Sequence, residues 1–280
     1  FKILEDVDGN EHEDEDTLHD FGECIKACSL FLGWEACLQR GFESLKRAAQ
    51  SVAGDDSNST TLRALRIQSV LRCIYYVLKT GKRKQIVAQG TSLQELLCTF
   101  IPAVASIGIN ILKVALDIIN AAAYWINSRP ESLNTLFPFI VNSLSMHAKD
   151  RKKATDIVPS ISSTAAYVLG NICRICAESM PSEVLSVYES IGQHGLELKD
   201  EVFVIEGMSS IVSKLPPAEA SKGLERLLSP MAIDLRVAID ANSAELVVRS
   251  LEHMVAVFKN AKLSQSLQSA HSRGKQMPSG

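Results

Sequence analysis

Between Thr17 and about Ala261, apolar residues return every three or four positions, the period of a helix with one buried face. No stretch alternates apolar with polar as a half-buried strand would. The segments carrying the helical period are "TLHDFGECIKACSLFL", "WEACLQRGFESLKRAAQ", "TLRALRIQSVLRCIYYVLK", "SLQELLCTFIPAVAS", "INILKVALDIINAAAYWIN", "PESLNTLFPFIVNSLSM", "SSTAAYVLGNICRICAES", "PSEVLSVYESIGQ", "KDEVFVIEGMSSIVSKL", "PAEASKGLERLLSPMAIDLRVAI" and "AELVVRSLEHMVAVFKN". Turn-forming text separates them: "AGDDSNS" at 53–59, the basic turn "KTGKRK" at 79–84, and the longer basic loop "HAKDRKKATDIVPS" at 147–160. The pattern predicts an all-α chain in three parts: an acidic flexible segment over 1–16, a helical body over 17–261 and a polar, frayed tail over 262–280.

The helices share a punctuation. "WINSRPESL", "ICAESMPSEVL" and "VSKLPPAEA" each end an apolar helix and open the next at a proline, Pro130, Pro181 and Pro216–Pro217. Proline suits a first helical turn, where its missing N–H would have had no partner. The prolines are 51 and then 36 residues apart, and the larger gap contains the basic loop. Their mean, about 43, falls in the range of HEAT and armadillo two-helix repeats. The spacing predicts a right-handed superhelical solenoid of about five to six HEAT-type helix pairs.

One run invites a different reading. "IPAVASIGINILKVALDIINAAAYWI", 101–126, is long enough to cross a membrane, but it carries Lys113 and Asp117 near its centre, where charge is costly. Their i, i+4 spacing puts both on one helix face, so a helix buried among helices is expected, with no membrane insertion.

Composition agrees with helix-on-helix packing: 46% of residues are hydrophobic and only 6% aromatic. The net charge of −3 is set by seven acidic residues among the eleven of "DVDGNEHEDED", Asp6 to Asp16; without them 29 basic residues face 25 acidic ones. Neither balance supplies the concentrated basic face that direct nucleic-acid binding needs. "FKILEDVDGN" has no basic stretch leading into an apolar run, so it does not read as a signal peptide, and the opening reads as mid-chain text from a longer protein. Seven cysteines, mostly within apolar helical patterns, fit a reducing, intracellular compartment.

Candidate chemistry is sparse. Cys173 and Cys176 in "NICRICAESMP" have C-x-x-C spacing, but they fall deep inside a helix with no preceding strand, whereas a redox pair needs its first thiol at a helix N-terminus. Cys176 shares a stripe with Ala165, Leu169, Ile172 and Met180. Zinc would need two further ligands, and none follows at metal spacing. Cys24 and Cys28 in "ECIKAC" lie one turn apart, and both pairs are expected to be packing. The acidic run begins D-x-D, yet a calcium loop counted from Asp6 wants Gly sixth and Glu twelfth, whereas Gly9 is fourth and Thr17 twelfth. The six histidines are scattered, and there is no phosphate loop and no nucleophile elbow. Glu206 in "VFVIEGMSS" is expected to face a neighbouring helix or a concave surface. No catalytic residue, metal site or cofactor is expected. The partner-binding candidates are Lys149, Arg151, Lys152 and Lys153 of the basic loop, with Lys82 to Lys84 a weaker second set.

"STAAYVLGNICRICAESMPSEVLSVYESIGQHGL", "VFVIEGMSSIVSKLP" and "GLERLLSPMAIDL" resemble the middle repeats of importin-beta superfamily receptors, in the branch of transportin-SR and its importin relatives. "AAYWINSRPESLNTLFPFIVNSL" resembles the preceding repeat, and the similarity is clearest over Ala115 to Lys259. The resemblance implies a nuclear transport receptor shuttling between cytoplasm and nucleus: a flexible superhelix binding protein cargo and Ran-GTP on its concave face and nucleoporin repeats outside. Receptors of this kind are several times longer, so the chain would be a central piece. The Arg-rich helix that serves Arg-Ser cargo has no counterpart here, so no binding residue is carried over. A HEAT scaffold or regulatory subunit of another intracellular complex is the alternative.

Overall fold

The computed structural model describes residues 15–50, 57–146, 160–180, 182–188 and 194–260. Among these residues the chain is all-α, with no strand. It divides into two compact units, 1–128 and 129–280.

The first unit holds α1 (Glu15–Leu32), α2 (Trp34–Gln50), α3 (Ser57–Thr80), α4 (Arg83–Ala88), α5 (Thr91–Glu95), a π turn (Leu96–Phe100), α6 (Ile101–Ala105), α7 (Ile109–Ala121) and α8 (Ala123–Ser128). Its centre is α3, which packs against α1, α2 and α7. Ile67, Val70, Leu71, Ile74, Val77 and Leu78 form an i, i+3, i+4, i+7 series on α3, and all are buried. Trp34 pins the start of α2 to α3 by donating its indole N–H to the Val77 carbonyl at 2.6 Å. Between α1 and α2 only Gly33 turns the chain, at φ 90°, a left-handed conformation that L side chains resist.

Two segments expected as single helices are interrupted, each for a local reason. In "SLQELLCTFIPAVAS" Pro102 has no N–H to give the Cys98 carbonyl four residues back, and the ladder loosens to a π turn in which Ile101 N–H reaches Leu96 O. "INILKVALDIINAAAYWIN" breaks at Ala122, and α8 packs on α4 instead of continuing α7. Trp125 holds it there, buried and donating to the Gln89 carbonyl at 2.7 Å. Among the described residues no helix is long and apolar enough to cross a membrane.

The second unit holds a 3-10 turn (Pro130–Ser132), α9 (Leu133–Leu144), α10 (Ile161–Ile175), a second 3-10 turn (Ser182–Ser186), α11 (Leu198–Val212), α12 (Pro217–Asp240) and α13 (Ala244–Asn260). Pro130 and Pro217 open their elements as the punctuation predicts; Pro181 lies outside the described residues. Ser160 caps α10, its hydroxyl accepting from Ser163 N–H at 3.1 Å. Of the segment "PSEVLSVYESIGQ", expected to be a helix, residues 182–188 are described: they open as the 3-10 turn, with Val184, Leu185 and Tyr188 buried.

Consecutive helices pack at α9–α10 and at α12–α13, and other contacts skip one element. α11 packs against both α10 and α13, while α12 packs against the 182–186 turn and against α13. At the α10–α11 crossing, the backbones touch through two glycines: a Cβ on Gly207 would collide with the Gly170 carbonyl oxygen. Beside it, Tyr167 stacks on Phe203 with ring centres 4.9 Å apart, and the Arg174 guanidinium lies over the same ring.

Candidate functional site

The one buried carboxylate among the described residues is in the second unit, and sequence reasoning passed over it. Glu201 is 0% exposed. It sits in the first turn of α11, where the helix dipole favours negative charge, and it shares a stripe with Val204, Ile205 and Met208. Across from it, α13 carries Arg249 and His253 at i, i+4 on one face. Arg249 grips the carboxylate with both arms: Nε donates to Oε2 at 2.9 Å, and Nη2 donates to Oε1. His253 Nε2 lies 3.1 Å from Oε2, and its ring meets Tyr188 edge-on at 6.4 Å. Burial pushes the Tyr188 phenol above its ordinary range, helped by the Asp234 and Glu201 carboxylates and opposed by Arg249.

Two helices, α11 and α13, therefore meet on one carboxylate, and the 182–188 segment packs against His253 beside it. Both carboxylate oxygens already accept hydrogen bonds, and Glu201 has no exposed surface through which a substrate could approach. The arrangement fixes the register of α13 on α11. Arg249 supplies the charge from the rim, with its side chain 37% exposed.

Glu206, the carboxylate expected to meet a neighbouring helix, is partly exposed and accepts from Lys259 of α13 at 3.2 Å. It turns away from Glu201 by five residues of helix, so the same two helices carry an inner ion pair and an outer one.

The two cysteine pairs separate. Cys173 and Cys176 are both buried, and burial raises their thiols, Cys176 to about 12 and Cys173 further, so neither is a ready thiolate. Cys24 and Cys28 depart from the expected packing: both are exposed. The face of α1 that is buried runs through Gly22 and Ser29, because Gly22 lets Tyr76 of α3 approach to within 2.5 Å of where a Cβ would stand, and the cysteines fall off that face. Among the described residues, no cluster of three His, Cys, Asp or Glu side chains is arranged to hold a metal.

Lys149, Arg151, Lys152 and Lys153 lie outside the described residues, as does most of the acidic run. In the other basic turn Lys82 and Lys84 are exposed, while Arg83 lies over the Tyr124 ring at 4.2 Å. Lys113 and Asp117 are both partly buried on α7; desolvation lowers the lysine and raises the aspartate from their usual values, each opposed by the other's charge.

A further feature is apolar. α13 buries Ala256 and Val257 on one side yet exposes Val248, Leu251, Val255 and Phe258 along the other, and neighbouring α12 exposes Ile233 and Val237. The chain matches no protein-family model and no curated protein.

Proposed function

We propose that this chain is part of a nuclear transport receptor of the importin-beta superfamily, a right-handed stack of HEAT-type helix pairs that binds protein cargo under Ran-GTP control. The observation that carries the reading is the neighbour relation in the second unit. α10, α11 and α13 pack in succession, and the 182–186 turn and α12 pack on each other between them. In a two-helix array each helix meets its pair partner and its counterpart in the next pair, and nothing farther.

Two details support it. The close glycine contact of α10 on α11 falls inside "STAAYVLGNICRICAESMP" and "VFVIEGMSSIVSKLP", the text that most resembles the receptor repeats. α13 is apolar on two opposite faces, as a helix is when it has a neighbour on each side. Such a stack works by surface: affinity comes from a few buried anchors and from charge spread over several repeats.

Entry into nuclei tests the proposal. In permeabilised cells, the protein that contains this chain should cross the nuclear envelope faster than an inert protein of equal size. Entry at the inert rate would remove the transport reading and leave a HEAT scaffold of another intracellular complex.

A further inference from the structure

We propose that Cys28 and Cys37 form a reversible disulfide across the α1–α2 hairpin, made and broken by exchange with small-molecule disulfides. The hairpin turns on Gly33 alone, and the two cysteines flank it, Cys28 in the last turns of α1 and Cys37 in the first turn of α2. Cys37 N–H donates to the Gly33 carbonyl at 3.2 Å, which holds it against the turn. Its Sγ already lies 3.9 Å from the Cys28 carbonyl oxygen. Cys28 is exposed and Cys37 half-buried, so a reagent reaches the first thiol while the second lies against the same residue's backbone.

Both limbs are anchored independently. Trp34, Leu38 and Phe42 seat α2 in the core, and Phe21 meets Tyr76 edge-on to seat α1 on α3. Packing that does not depend on a bond between the two residues thus holds the Cys37 thiol against the Cys28 backbone. Cys24 provides the contrast: one turn back on α1, it lies about 6 Å farther from the turn, out of register with Cys37. Between the two limbs the chain presents Leu30, Phe31 and Leu32, all exposed and Phe31 to 90%. A bond at the base of that tip would fix how it is presented.

The exchange balances. The Cys28 thiolate attacks one sulfur of a small disulfide and displaces the other as a thiolate, giving a mixed disulfide. The Cys37 thiolate then attacks the Cys28 sulfur, forming the protein bond and releasing the second small thiolate. The two protein protons end on the two released thiols, so one small disulfide is reduced and one protein disulfide formed.

Trypsin places both cysteines on one peptide, Ala27–Arg40, and Cys24 on another. The folded chain is incubated with glutathione disulfide, quenched in acid and digested without reduction. The expected product is Ala27–Arg40 lighter by two hydrogens, restored by dithiothreitol and unchanged in Cys24→Ser. In Cys28→Ser it should be replaced by a glutathione adduct or by free thiol. The same peptide in urea-unfolded chain measures closure without the fold. The native chain should favour the bond at least about tenfold more, through the higher effective concentration of the paired thiols. Equal or weaker closure in the native chain, two glutathione adducts on the peptide, or a bond from Cys24 to Cys37 would each overturn the proposal.

Discussion

Glu201 shows what one residue decides here and why the sequence did not reveal it. Reading α11 by eye favours Glu206, which interrupts "VFVIEGMSS", over Glu201, which opens the helix among Lys199 and Asp200 as an ordinary charged first turn does. The signal was present: Glu201 stands three, four and seven residues before Val204, Ile205 and Met208, on the buried stripe. Its partners were not readable, because Arg249 and His253 are 48 and 52 residues away and only the fold brings them in. Removing the carboxylate strands Arg249 and His253 at a closed interface. Glu201→Ala is expected to destabilise the second unit by about 3 kcal/mol, the low end for breaking a buried pair since Arg249 keeps access to water. Urea unfolding followed by a probe in that unit measures it. A change below about 0.5 kcal/mol, the scale of an ordinary surface substitution, would mean the pair does not hold α13. The cysteines make the same point: C-x-x-C spacing with no helix N-terminus was readable as packing for Cys173 and Cys176, whereas the outward turn of Cys24 and Cys28 depended on Gly22 meeting Tyr76.

At the scale of elements, period and proline together located most of the helices. They failed where the backbone answers to something other than its own period: Pro102 opens a π turn, and Ala122 lets α8 swing to α4. Pro138 and Pro230, in contrast, sit inside α9 and α12 without ending them. The α10–α11 crossing gives a prediction whose sign separates two effects. Helix propensity alone says that Gly207→Ala should stabilise α11 by about 1 kcal/mol. The contact geometry says the opposite, since the new methyl would meet Gly170 backbone, with no flexible side chain to yield. Overpacking of this kind should cost about 2–3 kcal/mol. Gly108→Ala, where the backbone is extended and nothing lies within 4 Å of the added carbon, serves as the control; as an N-cap exchange it should cost at most about 1 kcal/mol. Thermal or urea unfolding of both variants checks the pair; a stabilised Gly207→Ala would mean that α10 and α11 do not pack through their glycines.

For the whole molecule, the all-α class was legible because a helical period repeated from Thr17 to Ala261 leaves no room for strands. The faces were not, because helices such as α11 and α13 carry apolar residues on more than one side, and periodicity cannot say which side meets which neighbour. The transport reading joins the element-skipping contacts of the second unit to the resemblance of its sequence to receptor repeats. Its central claim is control by Ran. Binding of the protein that contains this chain should therefore be measured against Ran loaded with GTP and, separately, with GDP. The account predicts tight binding to the GTP form and weak or no binding to the GDP form. Equal binding to both, or none to either by folded protein, would contradict it.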